Sequence, residues 1–242
     1  MRDRSGLFPI EGVRSFVLAS DRGFAFREII YSERLLINPV ARKLVRHHRR
    51  AGVRTRKFSP EDFRTLSKAK RASGIAAVLQ QNWMPLTHAK PQDGHFWLLV
   101  ERVNAPGNLG TLLRSSHAFG GAGVMCVGTS VDPFSPDVIR ASMGAFFAQR
   151  FVRTDWDALS AWVESHGCSI IGATPDGPTG LHVVGNTMAP VILLGEERKG
   201  LTSVQRAVCH DHVRIPMLPG TDSLNLGVAG SLVMYEIFRN RA

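Results

Sequence analysis

The stretch "IPMLPGTDSLNLGVAGSLVMYEIFRN", residues 215–240, decides how this chain folds. It opens as a strand end, Ile215-Pro216-Met217, followed by the turn residues Leu218-Pro219-Gly220-Thr221-Asp222. A proline cannot donate to a ladder, so the carbonyls near Pro216 stay open. The second half reads as a helix over 224–239. Leu224, Val228, Leu232, Val233, Tyr235, Ile237 and Phe238 supply apolar faces, with small Gly227, Ala229, Gly230 and Ser231 between them. Ser223 suits an N-cap. Asn225, two residues on, is a mediocre helix former that capping does not require. A hydroxyl and an amide therefore meet where strand, turn and helix join, the edge at which open α/β sheets bind ligands.

The same alternation runs upstream from Phe96. Strand candidates are FWLLVE, GVMCVG, RFVRT, SIIGAT, PVILLG and HVRIPM. Helix candidates are 109–119, 137–146, 157–165 and 202–208. Continuous apolar strands between helices imply an α/β fold with a mostly parallel sheet covered on both faces. Residues 6–81 form a smaller mixed α/β unit. GVRSFVLASDRG reads as a helix, FREIIYS as a strand, and NPVARKLVRHHRRAG as a basic helix. VRTRKFS and GIAAVLQ are further strands, with a helix starting at Ser59-Pro60. The expected division is 1–82, a linker over 83–95 with two prolines and no apolar period, and a domain over 96–242.

The 242 residues are 44% hydrophobic, enough for one large core or two small ones. No apolar run approaches the roughly 20 residues of a membrane span. The N-terminus lacks the apolar core of a signal peptide. A cytoplasmic protein without membrane contact is expected. Cys126, Cys168 and Cys209 are scattered, which favours reduced, mostly buried thiols. The net charge of +10 is uneven: residues 1–90 carry 19 Lys and Arg against 7 Asp and Glu, and residues 91–242 carry 11 against 13. That asymmetry points to a polyanion partner for the N-terminal part. A merely solubilising basic face is the plainer alternative.

Two more junctions follow predicted strands. In ERVNAPGNLGTLLRSSHAFG, Asn104 and Asn108 flank a Pro-Gly turn, Asn108 suits an N-cap, and Arg114 follows. Gly110 weakens the first turn of that helix, so a close backbone approach is expected there. In VILLGEERKGL an apolar strand stops at Gly195, before the charged turn Glu196-Glu197-Arg198-Lys199-Gly200. A glycine there lets a ligand approach the backbone. Each junction alone also reads as an ordinary capped helix or strand-to-helix loop. CHDH at 209–212 lacks a second ligand cluster, so no metal is expected. The common dinucleotide, nucleoside-triphosphate and hydrolase fingerprints are absent.

Together these junctions resemble motifs 1, 2 and 3 of the SpoU, or TrmH-like, RNA 2′-O-ribose methyltransferases of the SPOUT superfamily. The matching residues are Asn104, Asn108, Gly110 and Arg114, then Gly195 and Glu197, then Ile215-Pro216-Met217 with Ser223-Leu224-Asn225. The family's first motif is often one residue shorter between its asparagines, so Asn108 is taken as the match. DPFSPDVIRASMGAFF, residues 132–147, is similar to the family's Ser-Pro…R-A-S-M-G-A segment. IEGVRSF and GIAAVL resemble the small L30e-like substrate-binding domain that often precedes the catalytic one.

The resemblance implies a C-terminal trefoil knot and a homodimer formed through the catalytic domain. Its small helix residues would then serve close packing in the dimer. S-adenosylmethionine would lie bent in the knot, held mainly by backbone atoms around Thr174, Leu194, Gly195, Ile215, Pro216, Met217 and Leu224. The implied reaction is methyl transfer to a ribose 2′-hydroxyl of structured RNA, ribosomal RNA before transfer RNA. Arg114 would grip a phosphate or the developing alkoxide. Asn108 and Asn225 would orient the nucleotide, Glu197 would fix the loop or Arg114, and Ser223 would bond ribose or cofactor. Arg42, Lys43, Arg46, Arg49, Arg50, Arg54, Arg56 and Lys57 would bind RNA phosphates. A catalytically silent, knotted RNA-binding protein is the competing expectation.

Overall fold

A computed structural model describes residues 5–241, apart from the side chain of Asn186. The chain divides into two compact units. One holds the residues up to Asn82 together with Phe134–Ile139; the other holds Trp83–Pro133 and the chain from Arg140 onward.

The first unit is built on β1 (Leu7–Glu11), β2 (Phe26–Tyr31), β3 (Arg54–Lys57) and β4 (Ile75–Gln80), in the order β1-β4-β2-β3. Its helices are α1 (Val13–Asp21), α2 (Pro39–Arg50) and α3 (Pro60–Leu66). Asn38 and Ser59 cap α2 and α3, each followed by a proline whose fixed φ suits the first helical turn. The sequence does not announce β1. Its Pro9 interrupts the apolar pattern, and an edge strand tolerates it. Phe8, Phe16, Ile29, Phe63, Ile75 and Leu79 fill this core, and the Phe134 ring lies 5.0 Å from that of Phe8.

The second unit carries an eight-stranded, wholly parallel sheet. Its strands are β5 (Trp83–Met84), β6 (Trp97–Val100), β7 (Gly123–Val127), β8 (Phe151–Thr154), β9 (Ser169–Ala173), β10 (Thr179–Gly180), β11 (Pro190–Leu194) and β12 (Asp211–Arg214). Their order is β10-β12-β9-β11-β6-β7-β8-β5. β6, β7 and β11 are buried along their whole length, the mark of a sheet covered on both faces. The helices from here on are α4 (Pro106–Ala118), α5 (Pro136–Ala141), α6 (Trp156–Ser165), α7 (Ser203–Ala207) and α8 (Leu226–Arg239).

Three differences from the sequence expectations matter. Residues 83–95 are built into this unit: β5 pairs with β8, and the indoles of Trp97 and Trp162 donate to the carbonyls of Lys90 and Ala89 at 2.9 and 3.1 Å. The helix expected over 137–146 stops at Ala141. Met143 and Gly144 take left-handed backbone angles (φ 51° and 97°), and a short 3-10 turn follows over Ala145–Ala148. β12 ends at Arg214, which leaves Ile215-Pro216-Met217 as irregular chain beyond the sheet.

Candidate active site

α4 sits between two neighbours, and glycines set both distances. On one face a Cβ at Gly230 of α8 would lie 2.3 Å from Leu112 and 2.7 Å from Leu194. Ser115 and Ser231 share a hydroxyl hydrogen bond of 2.6 Å across the same seam. On the opposite face a Cβ at Gly110 would lie 2.4 Å from Ala141 Cβ and 2.9 Å from the Ser142 nitrogen. The close approach expected at Gly110 is therefore protein against protein. The small residues of α8, expected at a dimer seam, act first within the chain, Gly227 against Thr111 and Gly230 against Leu112.

The caps also differ. α8 begins at Leu226, and its N-cap is Asn225, whose Oδ1 accepts from the backbone N–H of Gly227 and Val228 at 2.9 and 3.3 Å. Ser223 lies two residues before that cap, exposed, and its hydroxyl has no hydrogen-bond partner among the described residues. Asn108 is not a cap either. α4 starts at Pro106 behind Ala105, so Asn108 is already helical and its side chain is free for another use.

That use is a bridge. Asn225 Nδ2 donates to Asn108 Oδ1 at 2.9 Å, and Asn108 Nδ2 donates to Glu197 Oε1 at 3.2 Å. The backbone N–H of Asn104 and that of Ala105 also donate to the Glu197 carboxylate, at 3.1 and 3.0 Å. Asn104 Nδ2 holds Glu196 at 3.0 Å. Burial pushes the Glu197 carboxyl up, but the Ala105 and Asn104 N–H groups, its own N–H and Asn108 outweigh it. They hold the group below the usual carboxylate value. The first turn of α4, the turn after β11 and the start of α8 are thus tied into one polar cluster. Asn104, left out on spacing, belongs to it.

Beside this cluster lies a cavity of about 440 Å³, within the roughly 300–1,000 Å³ range of small-molecule sites. It opens at the C-terminal ends of β9, β11 and β12. Leu194, Val213, Ile215, Met217, Leu224 and Leu226 supply apolar wall. Thr174, Gly195, Glu197 and Ser223 also line it. Of the seven expected cofactor residues only Pro216 is not on its wall. The backbone N–H groups of Met217 and Leu224 have no partner among the described residues. Gly195 is on that wall, and the turn itself also needs its missing Cβ. A Cβ on it would sit 2.3 Å from the Gly200 carbonyl carbon, because the turn closes on itself through reciprocal Glu196–Gly200 backbone bonds of 3.1 and 2.9 Å.

Arg114 is the residue the chain does not bring in. It lines neither the cavity nor the groove around Asn108 and Asn225. It stands four residues after Gly110 and shares its face, turned from α8. It is exposed, with no hydrogen bond or ion pair among the described residues. The sequence also missed Asp176 and Arg206, which line the cavity. They meet across 30 residues of chain, and no local spacing announces such a pair.

The basic candidates of the first unit separate into two sets. Arg56 chelates Glu28 at 2.6 and 2.7 Å, Arg54 lies 3.3 Å from the same carboxylate, and Lys57 pairs with Glu33 at 2.6 Å. Arg42 is spent on the carbonyls of Leu36 and Glu33 at 2.5 and 2.9 Å. Lys43, Arg46, Arg49 and Arg50 are exposed on α2 and make no hydrogen bond or ion pair among the described residues, although Arg49 is near enough to Glu33 to lower its carboxyl pKa. Among the described residues no group of three His, Cys, Asp or Glu gathers as a metal site. Among the described residues no helix is long and apolar enough to cross a membrane.

A covered parallel sheet with an apolar cavity and a polar cluster at its carboxyl edge defines a ligand-binding α/β protein. The comparisons narrow that class. The SpoU rRNA Methylase family model matches residues 95–235, and the chain belongs to this family. It is 28% identical to a 23S rRNA (uridine(2479)-2′-O)-methyltransferase of Streptomyces viridochromogenes, over 99% of this chain and 85% of that protein. It is 28% identical to a 23S rRNA (guanosine-2′-O-)-methyltransferase of Coxiella burnetii, over 82% of each. Among solved structures, an AdoMet-bound rRNA methyltransferase from Sinorhizobium meliloti superposes with a TM-score of 0.90 at 26% identity, covering 100% of this chain and 90% of that one. The AdoMet complex of the SpoU methyltransferase AviRb from Streptomyces viridochromogenes gives 0.86 at 28% identity, covering 99% and 92%.

Proposed function

We propose that this protein is an RNA (nucleoside-2′-O)-methyltransferase that uses S-adenosylmethionine and acts on ribosomal RNA in the cytoplasm. The observation that carries the reading is the Glu197–Asn108–Asn225 bridge at the mouth of an apolar cavity, in a chain of the SpoU family. The lining fits the cofactor: apolar walls for a purine ring, with unpaired backbone N–H groups at Met217 and Leu224 to read polar edges. When bound, S-adenosylmethionine supplies a methyl group on a positively charged sulfonium, so no metal is required.

The chain's residues must then position the acceptor hydroxyl and help it lose its proton. Asn108 is held by Glu197 and Asn225, and Asn225 by Asn108 and the start of α8, which fixes both amides before any nucleotide arrives. Ser223 offers an uncommitted hydroxyl beside them. Arg114 offers a planar cationic fork, an electrostatic grip on a phosphate or developing alkoxide. Its place outside the cavity of its own chain supports delivery by a second copy. Val228, Leu232 and Tyr235 support the same homodimer. They stand on one face of α8, 47%, 38% and 48% exposed, an apolar stripe that invites cover.

β12 enters the sheet between β10 and β9, and α8 then returns across α4. This order supports a C-terminal segment threaded as a trefoil knot. The basic first unit, read as an L30e-like domain, takes folded RNA by its phosphates and shape, with Lys43, Arg46, Arg49 and Arg50 exposed along α2 as candidate contacts. The test is transfer of labelled methyl from S-adenosylmethionine to ribosomal RNA, followed by mapping of 2′-O-methyl positions. Cofactor binding without any transfer to ribosomal or transfer RNA would leave the silent RNA-binding reading in its place.

A further inference from the structure

At the end of the cavity away from Asn108 and Asn225, three side chains make a small ionic cluster. Arg206 of α7 donates through Nη2 to Asp176 Oδ1 at 2.9 Å and to Thr174 Oγ1 at 3.0 Å. The Thr174 hydroxyl donates to the same Asp176 oxygen. All three residues line the cavity. Each charged partner uses only one edge on the other. Arg206 Nε and Nη1 have no partner among the described residues, and no other residue bonds Asp176 Oδ2. The Arg206 hydrogen bond, with that of Thr174, holds the Asp176 carboxyl down at about 2, so it is ionised at neutral pH.

A structural ion pair on an open surface has no need of a cavity wall, and exposed pairs contribute little to stability. Here a guanidinium with two open donors stands beside a carboxylate with an open oxygen. That arrangement is complementary to a zwitterion: a ligand carboxylate meets the guanidinium fork, and a ligand ammonium meets the carboxylate. The other walls offer an adenosine apolar surface and backbone edges.

We infer that Asp176 and Arg206 form the dock for the α-amino-acid end of the cofactor, Arg206 taking its carboxylate and Asp176 its ammonium, with Thr174 holding the pair in register. This inference rests on the cofactor reading above and adds a specificity site to it. It orients the bound molecule, with the amino-acid arm directed to the β9 end and the sulfonium left facing Asn108 and Asn225.

Calorimetric titration of the full-length protein tests it with two probes. S-adenosylhomocysteine carries the amino-acid end; 5′-methylthioadenosine keeps the adenosine and lacks that end. In Asp176→Asn and in Arg206→Met, affinity for S-adenosylhomocysteine should fall roughly ten- to hundredfold, the range for losing a charge-assisted hydrogen bond. Affinity for 5′-methylthioadenosine should stay within about twofold of wild type. Both side chains are exposed enough, at 67% and 39%, for the variants to fold, and thermal melts check this. Arg206→Lys keeps the charge without the fork and should recover only part of the loss. Equal losses on both probes, or none on either, overturn the dock while leaving cofactor binding intact. Wild-type protein that binds neither probe overturns the cofactor reading and the dock together.

Discussion

Asn225 Nδ2 donates to Asn108 Oδ1 at 2.9 Å, joining residues 117 apart in the chain, while Asn225 Oδ1 caps α8. One amide thus has two separable duties. Asn225→Ala removes both and should lower stability by about 1 kcal/mol through loss of the cap. Asn225→Asp keeps a good cap and loses the donor to Asn108. It should unfold near the wild-type midpoint in urea, yet transfer methyl far more slowly. A variant equal to wild type in rate would reduce Asn225 to a cap.

Glu197 accepts from Asn104, Ala105 and Asn108 and has a carboxyl pKa held below its ordinary 4.5. A depressed folded pKa contributes stability above the unfolded value, and that contribution is lost as pH falls through the folded one. Wild-type protein should therefore lose stability below about pH 4.5, and part of that slope should vanish in Glu197→Gln. The variant should also be less stable at pH 7, by about 1 kcal/mol after allowance for solvent screening. Urea midpoints from pH 3 to pH 7 would decide it; parallel curves for the two proteins count against the bridge.

Gly195 and Gly110 show why the site was only partly readable from the sequence. The sequence marks both glycines, Gly110 for a close backbone approach and Gly195 for a ligand. Each spacing is set by the protein's own backbone, Gly200 in one case and Ala141-Ser142 in the other. A sequence shows that a Cβ is missing, not what would have met it. The apolar runs of β6, β7 and β11 were unambiguous because length and burial agree along the chain. The two-residue strands β5 and β10 are too short to leave a period. Asp176, in the loop after β9, and Arg206 of α7 meet only in the folded chain.

The same geometry gives a sharper expectation for Gly195→Ala. Its Cβ would meet Gly200 carbonyl atoms at 2.3 and 2.5 Å, so the turn must open. Thermal stability and cofactor affinity should fall together. Loss of affinity with an unchanged melting temperature would assign Gly195 to the ligand and not to the turn.

Free and paired cations of the first unit should behave differently. Replacing Lys43, Arg46, Arg49 and Arg50 by serine should weaken RNA binding and flatten its salt dependence, since each phosphate contact contributes nearly one unit of slope. Arg56→Ser leaves Glu28 without its bidentate partner and should cost stability, with a smaller effect on RNA. RNA affinity at several salt concentrations, with thermal melts, separates the two. An unchanged salt slope in the quadruple variant would move the RNA surface elsewhere.

Arg114 provides the strongest test, because its place on α4 makes a claim about two chains at once. It lies outside the cavity of its own chain, on the face that carries Gly110. If a second copy supplies it, Arg114→Ala should cut single-turnover methyl transfer on the order of 10²–10⁴-fold with little change in cofactor affinity. Arg114→Lys should recover little, because a point charge does not replace a planar fork. Arg114→Ala and Asn225→Ala are each expected to be nearly inactive alone. Co-expressed and allowed to pair at random, they should recover about a quarter of wild-type activity. Half the dimers are then mixed, and one site in each combines an intact Asn225 with its partner's intact Arg114. If Arg114 serves the site of its own chain, no pairing creates an intact site, and the mixture stays as inactive as its parts.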